Sequence, residues 1–194
     1  MTTNQDPILF PVIGTSKITS TYGIRVAPIS GISSSNHVGI DIAAARGSDI
    51  QSIQSGTVVY SGTSGSVGNG LPGKGEGYGN VLVIKNSDGT SWLYAHLDNN
   101  SINFSKGDSV NIGNVIAGVG ATGSATGYHL HIQKLNAEAT ALIESNTLTN
   151  KLGASSSYIQ KNSLNPTQEL IDAKNNLNPT TSSSTFGNYP LTHK

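Results

Sequence analysis

The sequence predicts a mainly β protein with minor helices near its C-terminus. Short apolar and β-branched runs recur between about residues 17 and 135, each bounded by Gly, Asn, Asp or Ser. Apolar residues make up 35% and charged residues 11% of the 194-residue chain, with Gly, Ser, Thr and Asn filling the difference. Ordinary usage is about 45–50% and about 25%, so this composition favours many short strands joined by turns. The clearer helix-start signal comes late, at Asn165-Pro166-Thr167-Gln168.

The elements follow in order. Residues 1–16 form a lead-in segment in which Pro7 and Pro11 break regular structure. The core spans 17–135. Its strand-like runs are Ile50–Ile53, Thr57–Tyr60, Val81–Ile84, Ser91–Ala95, Val115–Val119 and His129–Leu135. Turn signals punctuate them at Ser61-Gly62, Asp88-Gly89, Lys106-Gly107-Asp108 and Gly123–Gly127, and Asp88-Gly89 is a good hairpin signal. Gly62–Gly79 is too long for a tight turn and reads as a large surface loop, with Gly73–Gly77 as a flexible rim. No Gly-Lys-Ser/Thr follows it and no helix opens from it, so a phosphate cradle is not expected. Residues 136–163 read as an insertion with a short helix over Ala137–Ser145. Asn165 then caps a closing helix at about 166–177, with Pro166 at its first position and Gln168 placed to reach back. The polar tail, 179–194, is expected to be mobile. There is no fixed-period repeat and no second core, so 17–178 reads as one domain.

Charge and composition exclude several functions. Eleven basic and eleven acidic residues cancel without forming a basic stripe, which argues against nucleic acid. With no cysteine, any metal must use histidine and carboxylate. The N-terminal MTTNQDPILFPVIG lacks a basic region and a long apolar run, so a signal peptide is not expected, nor is a membrane span.

Four of the five histidines fall in three motifs: His37-Val-Gly-Ile-Asp41, Tyr94-Ala-His96-Leu97 and His129-Leu-His131. Side chains at even separations on a strand share a face, so His129 and His131 pair, as do His37 and Asp41 if extended, with Gly39 between them leaving room for an ion. Catalytic zinc takes three such ligands and keeps a position for water. A lone HxH is more often a pair of packed or surface histidines, and a lone His96 a hydrogen-bonded interior one. Three motifs in order, in a chain with so few histidines, instead suggest a metal site. The surplus histidines suit groups that handle a water proton and a developing oxyanion.

The order HxxxD, Tyr94-Ala-His96-Leu97, then Thr122-Gly-Ser-Ala-Thr-Gly-Tyr-His129-Leu-His131 resembles the lysostaphin and LytM type of zinc metalloendopeptidase. Ser20-Thr-Tyr22-Gly-Ile-Arg25, Val38–Ala43, Gly56-Thr-Val-Val59, Gly77-Tyr78-Gly-Asn-Val81, Gly107-Asp-Ser-Val110 and Leu164-Asn-Pro166 follow in that family's order, covering roughly 17–135 plus the short ending. The resemblance implies antiparallel sheets forming an open substrate groove, on a duplicated hybrid motif. It implies His37, Asp41 and His131 as Zn2+ ligands, and His96 and His129 as the pair that deprotonates the attacking water and stabilises the oxyanion. It also implies Tyr22 as an aid to the transition state. The implied activity is hydrolysis of peptides in bacterial peptidoglycan, outside the cell or in a virion. Tyr128 stands where the family has proline, and Gln133 where it has an acidic residue, which changes the support available to the ligands. Some relatives have lost zinc residues and regulate other wall hydrolases, and a structural phage tail part is another compatible setting. All five matched positions are present here.

Overall fold

The computed structural model describes residues 8–15, 17–25, 35–68, 70–75, 77–146 and 157–177; the tail expected to be mobile, His193 included, lies outside them. In chain order these residues form β1 (Ile18–Ser20), β2 (Gly23–Arg25), β3 (Ser35–His37), β4 (Ile40–Ala43), β5 (Asp49–Gln51), β6 (Gly56–Ser64), β7 (Gly79–Lys85) and β8 (Ser91–Leu97). After these come β9 (Ser109–Val110), β10 (Val115–Gly118), β11 (His129–Leu135), α1 (Ala137–Glu144), α2 (Ser157–Lys161), β12 (Ser163–Leu164) and α3 (Thr167–Leu177). The chain is mainly β, as the sequence predicts. One eight-stranded sheet runs β1-β4-β11-β8-β7-β6-β9, with β12 added to β11, and its pairings are antiparallel. Two ribbons, β5–β10 and β2–β3, stand beside it.

Each face of this sheet is apolar for a different partner. Ile40, Ile42, Leu82, Ile84, Trp92, Tyr94, Leu130 and Ile132 face a core closed by Phe10, Val12, the β5–β10 ribbon and Leu170 of α3. Val81, Val83, Leu93, Ala95 and Leu135 face the other way, onto Ala139 and Ile143 of α1 and Ile159 of α2. The period-2 alternation of β11 therefore puts His129, His131, Gln133 and Leu135 together on the second face. α1 and α2 cover one end of that face, and the histidines occupy the other.

The hairpin at Asp88-Gly89 forms as expected: Asn86 N–H bonds Thr90 O at 2.8 Å, Gly89 takes φ +84°, and Asp88 Oδ1 accepts from Thr90 N–H at 2.9 Å. Asn136 caps α1 through Ala139 N–H, and Asn165 caps α3 through Thr167 N–H, at 2.9 and 3.0 Å. Gln168 does not reach back; its amide bonds forward to Asp172 at 2.8 Å. The expected insertion holds α2 and β12 as well as α1. The Ile50–Ile53 strand is shifted, because Ile53 leaves the ribbon to donate its N–H to the buried Tyr94 hydroxyl at 3.2 Å.

The large loop is shorter than the sequence predicts. Gly62, Thr63 and Ser64 continue β6, paired with Val81, Asn80 and Gly79. Gly73 and Gly77 of the expected rim are docked rather than free. Gly73 N–H bonds Ala125 O at 2.6 Å, Gly77 N–H bonds Ser124 Oγ at 2.9 Å, and Ser124 N–H returns to Gly77 O at 2.8 Å. Gly79 (φ +66°) and Gly123 (φ +72°) make this approach possible, since a Cβ at either would overlap the other segment's backbone. No helix among the described residues is long and apolar enough to cross a membrane.

Candidate metal and catalytic centre

Asp41 and His131 are cross-strand neighbours in the β4–β11 register, and His37 ends β3 close by. Their donor atoms converge. His37 Nε2 lies 3.1 Å from Asp41 Oδ1 and 3.2 Å from His131 Nδ1, and His131 Nδ1 lies 2.9 Å from Asp41 Oδ1. Tetrahedral zinc with bonds of about 2.0 Å holds its ligand atoms about 3.3 Å apart, so this triangle has the size such an ion requires. His96 and His129 complete the cluster. Their ring centroids are 4.8 Å apart, and His129 Nε2 is 3.8 Å from Asp41 Oδ1.

Backbone carbonyls fix three of the four rings. Thr21 O lies 2.9 Å from His37 Nδ1, Thr122 O 2.7 Å from His96 Nδ1, and Gly127 O 2.9 Å from His129 Nδ1. A carbonyl only accepts, so each Nδ1 carries the hydrogen and each Nε2 turns a lone pair away from it. Ser20 Oγ adds a second contact to His37 Nδ1 at 3.2 Å.

His96 reaches the centre through a break in alternation. Tyr94 pairs with Leu82 and Leu97 with Asn80, so Ala95 and His96 together oppose only Val81. This is a β-bulge, and His96 sits in it at φ +60°, its N–H bonded to Tyr78 O at 2.9 Å. Regular alternation would have sent His96 into the apolar core with Tyr94. Instead it turns to the histidine face, and Leu97 takes the core position.

The electrostatics favour a cation. Burial pushes the Asp41 carboxyl up, but its close contacts with the His131 and His37 rings outweigh it and hold the group well below the usual carboxylate range. Burial also pushes the His131 imidazole down. The His96 imidazole falls to about 3, through burial first and then its neighbours His131 and His129. A charged carboxylate beside neutral imidazoles is the state a divalent ion needs.

Other residues shape the centre. Gly39 gives its space to a ligand rather than directly to an ion: a Cβ there would come within 2.5 Å of Ile132 O and 2.7 Å of the His131 ring. Tyr78 stacks on His131 with centroids 5.5 Å apart and planes 30° apart. Its hydroxyl donates to Gln133 Oε1 at 2.6 Å. The Tyr22 hydroxyl donates to the Ser163 carbonyl at 3.2 Å, while its neighbours Ser20 and Thr21 are the ones that touch His37. Sequence reasoning did not single out Tyr78, although it sits in the Gly77-Tyr78-Gly79-Asn80 motif, nor Thr122, whose contribution is a carbonyl that any residue could supply.

Comparison with known proteins adds the following. A family model described as peptidase family M23 matches residues 35–141. The chain is 34% identical over 131 residues to the DD-carboxypeptidase/endopeptidase Mpg of Neisseria meningitidis serogroup B, covering 67% of this chain and 26% of that protein. It is 36% identical over 110 residues to the murein hydrolase activator NlpD of Escherichia coli strain K12, covering 56% of this chain and 26% of that protein. It thus spans about a quarter of the length of these two relatives. Among solved structures, the catalytic domain of the antimicrobial peptidase lysostaphin from Staphylococcus simulans superposes with a TM-score of 0.54. The two are 27% identical, over 80% of this chain and 92% of that one.

Proposed function

The chain belongs to peptidase family M23, and on that footing we propose that it is a zinc-dependent endopeptidase. Its substrate in this reading is bacterial peptidoglycan, cut in a cross-bridge or a stem peptide at the cell wall. The carrying observation is the triangle of His37 Nε2, Asp41 Oδ1 and His131 Nδ1, with sides of 2.9–3.2 Å, beside two further histidines.

Those three residues would hold the ion. When bound, zinc would lower the pKa of a water towards about 7 and polarise the scissile carbonyl. The chain's own groups handle the protons. His96 is neutral, its Nδ1 hydrogen is held by Thr122, and its Nε2 lone pair is available to accept a proton from the attacking water. The same atom, once protonated, can give that proton to the departing amine. His129, oriented alike by Gly127, would stabilise the charge growing on the carbonyl oxygen when its Nε2 carries a proton and donates it in a hydrogen bond. Tyr22 would reach a substrate only by leaving Ser163, so its share in turnover is assigned as the smallest.

The similarity to NlpD, a murein hydrolase activator, supports a second reading in which the centre is retained without cleavage. One experiment separates the two. Purified protein is assayed for zinc content and for new amino groups released from cell walls of several cross-link types. The peptidase reading expects about one zinc per chain and released amines, with mass spectrometry of the fragments naming the bond. Zinc retention with no release from any wall, and stimulation of a separate murein hydrolase, would establish the activator.

A further inference from the structure

Three of the four clustered histidines have the outer ring nitrogen held by a backbone carbonyl. His131 does not. Its Nδ1 faces Asp41 and His37, and its Nε2 is buried with no hydrogen-bond partner among the described residues. Metal-binding histidines are normally oriented by a hydrogen bond at the distal nitrogen. Some other contact must therefore fix this ring.

Two packing contacts remain. Gly39 supplies a surface without a side chain and so leaves the ring its place. Tyr78 supplies a stacked aromatic plane. Tyr78 is 1% exposed and is itself tied down: its hydroxyl bonds Gln133 Oε1 at 2.6 Å, and the Gln133 amide donates to Ser163 Oγ at 2.5 Å. Ser163 Oγ donates in turn to Ile159 O at 2.5 Å. The backbone of the same tyrosine accepts the N–H of His96 in its bulge. One residue thus touches a ligand with its ring and the proton-handling histidine with its carbonyl.

We infer that Tyr78 is the positioning residue of the metal centre, doing for His131 by stacking what carbonyls do for the other three rings. The inference rests on the zinc reading above. Burial holds the Tyr78 hydroxyl well above the usual tyrosine range, so it stays a donor to Gln133. The anchor at its far end, Ile159 and Ser163, lies beyond residue 141, where the family match stops. The C-terminal segment of this chain therefore completes the support of a centre built from the matched part.

The test uses the full chain as Tyr78→Leu, Tyr78→Phe and Gln133→Met. Zinc affinity is read by chelator competition, ligand geometry by the visible spectrum of the cobalt(II) form, and turnover as kcat and KM separately. Tyr78→Leu is expected to weaken zinc binding by about 10–100-fold, as loss of an outer-sphere partner does. It should also shift the cobalt spectrum and lower kcat more than it raises KM. Tyr78→Phe, which keeps the stacked ring, should recover most of the affinity. A folded Tyr78→Leu protein with wild-type zinc affinity and cobalt spectrum would overturn the inference. If that variant does not fold, Gln133→Met decides: a shifted cobalt spectrum supports the relay, and an unchanged spectrum and affinity overturn it. Wild-type protein that binds no zinc would overturn the metal reading and this inference with it. Wild-type binding with insensitive variants overturns the inference alone.

Discussion

The carbonyl of Thr122 lies 2.7 Å from Nδ1 of His96, and it decides which nitrogen of that ring can take a proton. Thr122 is locked in turn, its hydroxyl donating to Leu97 O at 2.8 Å and accepting from Asn80 N–H at 2.9 Å. His96→Asn should therefore remove the proton acceptor and leave the surrounding frame in place, because asparagine tolerates φ +60° better than alanine does. The expected result is wild-type zinc content and a kcat lower by about 10²–10⁴-fold. Metal analysis alongside wall-hydrolysis kinetics checks it; loss of zinc would make His96 a ligand instead.

Zinc should stabilise the fold through the three donors. At free zinc about 1,000-fold above Kd, linkage gives about 4 kcal/mol. Thermal melts with zinc and with a chelator should therefore differ for the wild type. Asp41→Ala and His131→Ala should melt at the same temperature in both. A zinc-dependent shift surviving in His131→Ala would remove that residue from the ligand set.

Gly39→Ala should be costly for its size. The added methyl meets Ile132 O at 2.5 Å and the His131 ring at 2.7–2.8 Å, and neither is the far end of a flexible chain. Overpacking of this kind costs about 1–3 kcal/mol, and here it should also weaken zinc binding. Urea denaturation of the metal-free protein and a zinc titration measure the two effects separately. A variant as stable as the wild type would mean that β4 can move away from β11.

The metal-free protein should lose stability as pH falls. The His96 pKa is about 3 in the fold against 6.5 for the free side chain, so between those values the unfolded chain binds a proton that the folded chain refuses. Stability is then greatest above about 6.5 and declines below it, and buried His131 adds in the same direction. Asp41, held low, adds its own loss only as pH falls below about its free value of 3.8. Urea midpoints at pH 7.5 and pH 5 should fall for the wild type and fall less for His96→Asn. Equal slopes for the two proteins would place the effect elsewhere.

How far the sequence reveals this centre depends on the local backbone. Period-2 alternation suffices to pair His129 with His131 on one face, and β11 beside β4 sets His131 opposite Asp41. It fails at His96, two residues after Tyr94, because nothing in Tyr94-Ala-His-Leu97 announces the extra residue that turns the ring to the other face. It fails at Gly39 in a different way. The glycine reads as space for an ion, yet the neighbour that needs the space is an imidazole 92 positions later in the chain. The docking of Gly73 and Gly77 is illegible because its partners at 123–125 are backbone atoms and a single serine hydroxyl, which leave no periodic or chemical signature.

The bulge at Ala95–His96 has a consequence for how such proteins can diverge. Inserting one residue into β7 beside Val81 would give Ala95 and His96 a partner each, return His96 to the parity of Tyr94, and leave His37, Asp41 and His131 untouched on β3, β4 and β11. A chain altered in this way would keep its metal cage and surrender its chemistry in a single step. A hydrolase and a silent metal-loaded relative can therefore be neighbours in sequence space, separated by one codon.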